Sequence, residues 1–131
     1  MCPTEPPFVD AIDRGVEVGR IVGEAINFTR DLANEPGAYM TPTDMAERAR
    51  EIANEFGLSI DVLDEARMEQ EGMGSLLSVS HGSDQPAKLI ILKYTPAKAE
   101  GDSNELLSFV GKGVTFDSGD TAMSLYDRIS Y

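Results

Sequence analysis

Lys88-Leu89-Ile90-Ile91-Leu92-Lys93-Tyr94 is the stretch whose reading decides the fold class. Four large aliphatic side chains stand in an unbroken row between lysines. The row is too short for a core helix and does not alternate, so it predicts a strand buried on both faces. Downstream, residues 95–104 are polar and read as a surface loop. Leu106-Leu107-Ser108-Phe109-Val110 then predicts a second buried strand, which runs into Gly111-Lys112-Gly113. Upstream, Leu58, Ile60 and Val62 alternate with Ser59 and Asp61, the pattern of a half-buried strand.

Helical signals lie between and before these strands. From about Val9, the residues Ile12, Val16, Ile21, Val22, Ala25, Phe28 and Leu32 recur at helical spacing, until Pro36-Gly37 ends the run. Gly15, Gly19 and Gly23 weaken that helix and leave room for another backbone to come close. Thr41 as cap, Pro42 at the first helical position and Asp44 in the first turn announce a second helix. Its expected buried stripe is Met45, Ala49, Ile52, Ala53 and Phe56, with Gly57 as the stop. Asp64 can cap a short helix to Glu71, stopped by Gly72. Residues 73–83 fit no single pattern before the breaker His81-Gly82-Ser83. Strands separated by helices predict an α/β fold, with a partial parallel or mixed sheet flanked by helices.

The 131 residues suffice for one domain with a core. The net charge of −12 argues against partners that are nucleic acid or anionic membrane surface. No apolar run approaches the length of a membrane span. Cys2 is the one cysteine, so no internal disulfide forms. The N-terminal Met1-Cys2-Pro3-Thr4-Glu5 has neither the basic nor the apolar part of a signal peptide, and the expected location is cytoplasmic.

The chemistry-bearing stretch is Val110-Gly111-Lys112-Gly113-Val114-Thr115-Phe116-Asp117-Ser118-Gly119. In open α/β sheets, ligands bind beyond the carboxyl ends of strands, where this segment falls. A phosphate loop is excluded, because position 106 is Leu and position 113 is Gly where that motif needs Gly and then Ser or Thr. Lys112 and Asp117 would face opposite sides of a straight strand. Converging on one site requires a turn, which Gly113 or Gly119 permits. Spacing alone leaves open that both are ordinary polar residues on a loop. His81 reads as a turn residue, Glu35 as a loop residue, and the six methionines as core filler. Nothing in the spacing of Asp120 and Asp127 fixes them as ligands.

The same stretch resembles the metal-binding signature of the leucyl aminopeptidase (cytosol aminopeptidase) family, V-G-K-G-[VI]-T-F-D-[ST]-G-G. Thr29-Arg30-Asp31-Leu32-Ala33-Asn34-Glu35-Pro36 resembles the family's R-D-L-x-N-E-P segment. Met40-Thr41-Pro42 resembles its L-T-P, and Gly72-Met73-Gly74 through Gly82-Ser83 its G-M-G…G-S segment. The resemblance covers roughly residues 9–119. It implies the N-terminal part of a zinc-peptidase-like catalytic domain and a metal-dependent aminopeptidase that releases N-terminal residues such as leucine from peptides. It implies two divalent metal ions, Zn or Mn, with Lys112 ligating one and Asp117 bridging both. A lysine ligates only as the neutral amine, so the metals must displace its proton against a reference pKa of about 10.4. It also implies a homo-oligomer, a hexamer in the family.

After Gly119 the sequence departs from the family's G-I-S-L-K-P. Ser124, or Tyr126 in a shifted alignment, stands where the catalytic lysine belongs, so no catalytic residue is assigned. The expected organisation is a lead-in at 1–8, a connecting helix at 9–35, an incomplete catalytic domain at 36–119 and a divergent tail at 120–131. An inactive truncated form that binds metal weakly or not at all follows as the expectation. The alternative is a non-catalytic fragment that associates with itself or with such an enzyme, since a truncated sheet exposes a strand edge.

Overall fold

A computed structural model of the chain describes residues 6–96 and 106–115. The expectations placed on residues 1–5, 97–105 and 116–131, including Asp117, lie outside the described residues. The elements in chain order are α1 (Pro6–Asn34), α2 (Pro42–Phe56), β1 (Ser59–Leu63), α3 (Glu65–Gln70), α4 (Gly74–Ser80) and β2 (Leu89–Lys93). The chain divides into two compact units, Met1–Glu35 and Pro36–Tyr131.

In the first unit, α1 begins three residues before the expected start at Val9. Its polar side carries Arg20, which reaches Glu17 at 2.6 Å and Glu24 at 2.8 Å. The guanidinium donates to both carboxylates, which lowers the Glu17 pKa and raises that of Arg20. All three side chains are exposed, so the contribution to stability is small. Gly15, Gly19 and Gly23 each cost about 1 kcal/mol of helix propensity relative to alanine.

The second unit begins with a turn in which Tyr39 N–H donates to Pro36 O at 2.8 Å. Helix α2 starts where the cap residues place it. Thr41 accepts from the Asp44 amide, and the Asp44 carboxylate accepts from the Thr41 amide, completing a capping box. Donation from the Thr41 hydroxyl, and then from the Thr41 backbone N–H, holds the Asp44 carboxyl below the usual aspartate range. Gly57 ends the helix at φ 65°, a left-handed conformation that suits glycine. Ala46, Ala49 and Ala53 are buried, whereas Phe56, expected in the stripe, is exposed. It is the last residue of α2, next to the Gly57 stop.

Asp64 caps α3 by accepting from the Arg67 amide at 2.9 Å. The segment that fitted no single pattern contains α4. Met68, Leu77, Leu63 and Ala87 form the core, with Met73, Leu76 and Leu89 packed against it. Met68 is fully buried.

The α/β class stands, with a correction to the sheet. Among the described residues it has two strands, and they pair antiparallel, with Ser59 opposite Lys93 and Leu63 opposite Leu89. The expected parallel or mixed pairing is not seen there. β2 was expected to be buried on both faces, yet Ile91 and Leu92 remain exposed. Leu106–Val110 was expected as a buried strand. It forms no strand, and Leu106, Leu107, Phe109 and Val110 are 78–98% exposed. The physical reason is shared: an apolar run encodes a demand for burial but does not supply the neighbouring strand that satisfies its backbone.

Candidate functional site

The candidate site lies in the second unit, around the one expected metal ligand that is described, Lys112. Val114 N–H donates to Lys112 O at 3.1 Å, a three-residue turn centred on Gly113. The sequence required such a turn if Lys112 and Asp117 were to face one site. Gly113 carries it without positive φ. Lys112, Gly113, Val114 and Thr115 line one side of an open depression of about 650 Å³.

Pro42 at the start of α2 lines the depression, as do Leu76, Val79 and Ser80 of α4. Ser83, Gln85 and Lys88 complete the wall between α4 and β2. The short α4–β2 connection is held from below, because Ala87 N–H donates to Glu65 Oε1 at 2.9 Å. Within the connection, Gln85 N–H donates to Ser83 Oγ at 3.0 Å. The strand β2 therefore starts at a fixed point, which sets where Lys88 stands. Sequence reasoning missed Lys88; its position directly before the aliphatic run of β2 is the signal that could have found it.

The lining is cationic and hydroxylic. It offers Lys88, Lys112, Ser80, Ser83 and Thr115, and no carboxylate among the described lining residues. A divalent cation of the zinc or manganese kind needs three or four protein donors, mostly carboxylates and imidazoles. Among the described residues no group of three or more His, Cys, Asp or Glu converges. Lys112 supplies one such donor, so the described residues by themselves do not make up a dinuclear centre. His81 is exposed at the end of α4, and Glu35 is exposed beyond α1.

Residues 27–128, more than half of the chain, match the sequence profile of the cytosol aminopeptidase family, catalytic domain. The chain belongs to the cytosol aminopeptidase family. The match extends past Gly119, where the motif resemblance ends, to residue 128. The chain is 54% identical over 108 residues to a probable cytosol aminopeptidase of Solibacter usitatus, covering 82% of this chain and 22% of that protein. It is 44% identical over 108 residues to the probable cytosol aminopeptidase of Koribacter versatilis, covering 82% and 21%. It is 44% identical over 107 residues to that of Aquifex aeolicus, again covering 82% and 21%. The chain thus spans about a fifth of the length of the cytosol aminopeptidases it matches. Among the described residues, no helix is long and apolar enough to cross a membrane.

Proposed function

We propose that these residues form part of a metal-dependent aminopeptidase that removes N-terminal residues such as leucine from peptides. The observation that carries the reading is the position of Lys112. The turn at Gly113 sets this motif lysine at the wall of an open depression large enough for a short peptide, inside the segment that matches the family. In this reading Lys112 and Asp117 are ligands of a pair of divalent ions, Zn or Mn, and the remaining ligands and catalytic groups come from sequence outside these 131 residues. Alone, the chain binds metal weakly and turns over no peptide. Its expected setting is the cytosol, as the names of its relatives suggest, and its expected partners are a peptide substrate and further copies of the enzyme.

A second reading has one observation in its favour. Leu106, Leu107, Phe109 and Val110 stand exposed, and among the described residues the sheet has only two strands, which suits a fragment that associates rather than catalyses.

Hydrolysis of a leucine chromogenic amide by the purified chain, with and without manganese, tests the proposal. No turnover is expected. Manganese-dependent turnover that is lost in Lys112→Ala and Asp117→Ala would overturn the inactive reading and show a complete site.

A further inference from the structure

Lys88 is the cation of the depression that the metal reading leaves without a role. Ala87 before it is buried in the core, and Leu89 after it packs against the same core. Lys88 stands between them and lines the depression, as alternation along an extended chain requires. Its backbone is held on both sides. The Ala87 N–H donates to Glu65 Oε1 at 2.9 Å, and Leu89 pairs with Leu63 in the β1–β2 ladder. Lys88 itself is half-buried. Among the described residues every ion pair is made by an arginine, so no carboxylate there takes up the Lys88 charge.

Ser83 lines the same wall. Its Oγ accepts from the Gln85 N–H at 3.0 Å, which orients the hydroxyl and leaves its proton to donate. The Ser80 hydroxyl, by contrast, already donates to Leu77 O at 3.0 Å. An ammonium and a hydroxyl proton on a wall without a carboxylate among its described residues suit an anion with two acceptor oxygens. Leu76 and Val79 add apolar surface to the same lining. At about 650 Å³ the depression has the size of a small-ligand site.

We propose that Lys88, together with Ser83, binds the C-terminal carboxylate of short peptides and so gives the enzyme a preference for them. The proposal rests on the aminopeptidase reading, in which Lys112 marks the side of the depression where the N-terminal residue reacts. An extended dipeptide spans at most about 7 Å and a tripeptide about 11 Å, so both ends of such a peptide fall within one depression of this size. A longer peptide carries its carboxylate past Lys88 and gains nothing from it. Lys88 is thus a specificity-determining residue and takes no part in bond breaking.

Titration of the full 131-residue chain, followed by the amide resonances of Ser83, Lys88 and Thr115, tests it. The ligands are the dipeptide Leu-Gly, its C-terminal amide, acetate and inorganic phosphate. Leu-Gly is expected to bind with a Kd on the order of 1–10 mM, and the amide about tenfold more weakly for want of the charge. Acetate, which has the charge without the peptide, is expected to bind more weakly than Leu-Gly. Lys88→Gln is expected to bind Leu-Gly and its amide alike, and Lys88→Arg to restore the difference. Equal binding of the two dipeptides by the parent chain, or no saturable shift with Leu-Gly, would overturn the proposal. So would a difference that survives in Lys88→Gln and is lost in Lys112→Gln. Acetate or phosphate binding as tightly as Leu-Gly would show a general anion site and overturn it too. The chromogenic amide of the activity test carries no carboxylate, so the aminopeptidase reading stands or falls there without Lys88.

Discussion

The Ala87 backbone N–H donates to Glu65 Oε1 at 2.9 Å, joining the first residue of α3 to the approach to β2 across 22 residues of chain. Ala87 is buried and belongs to the core cluster. Its amide has no place in the β1–β2 ladder, so the carboxylate supplies the acceptor that a buried donor requires. Removing that acceptor leaves the donor unmet. Glu65→Ala is expected to cost about 1–3 kcal/mol in urea unfolding, with Glu65→Gln recovering much of the loss because its amide oxygen still accepts. Equal losses in the two variants would show that the carboxylate's charge, and not its acceptor oxygen, matters.

Met68 is the anchor of a small core. It is fully buried among Leu63, Leu77 and Ala87. Truncation to alanine leaves a cavity that few neighbours can close, and Met68→Ala is expected to cost roughly 2–5 kcal/mol. Leucine fills nearly the same volume, so Met68→Leu is expected to cost less than about 1.5 kcal/mol. Thermal unfolding of both variants beside the parent chain measures the difference.

The capping box at α2 links stability to pH. The Thr41 hydroxyl and then the Thr41 backbone N–H donate to the Asp44 carboxylate across the first turn, which lowers the Asp44 pKa. A depressed folded pKa means that the stabilisation is present above the ordinary aspartate value of about 3.9 and is lost as pH falls through the lowered folded value. Unfolding midpoints followed from pH 7 downward are expected to fall in the acid range for the parent chain. The Asp44-dependent part of that fall is expected to vanish in Asp44→Ala. Thr41→Ala is expected to cost about 1 kcal/mol at neutral pH through the lost cap.

Local chemistry was legible in the sequence and long-range pairing was not. The boundaries of α2 were written in Thr41, Pro42, Asp44 and Gly57, because caps and stops act within one turn. Asp64 and Gly72 marked α3 in the same way. The aliphatic run at Leu89–Leu92 gave the strand but not its direction of pairing or its degree of cover, both of which depend on β1, some thirty residues earlier. Leu106–Val110 misled for the same reason. At the site, the need for a turn near Gly113 was readable, and the turn is there. Lys88 and the hydroxyls of Ser80 and Ser83 reach the depression only through the folding of α4 against β2, and no spacing rule announces that.

The measurement that tests the central claim most directly is a graft. Residues 27–119 of this chain replace the matching segment of the Solibacter usitatus relative, and hydrolysis of a leucine chromogenic amide is followed with and without manganese. The account predicts metal-dependent turnover by the graft and a loss of at least about a hundredfold in its Lys112→Ala and Asp117→Ala variants. A folded graft that turns over amide equally well with Lys112 and Asp117 replaced would contradict it.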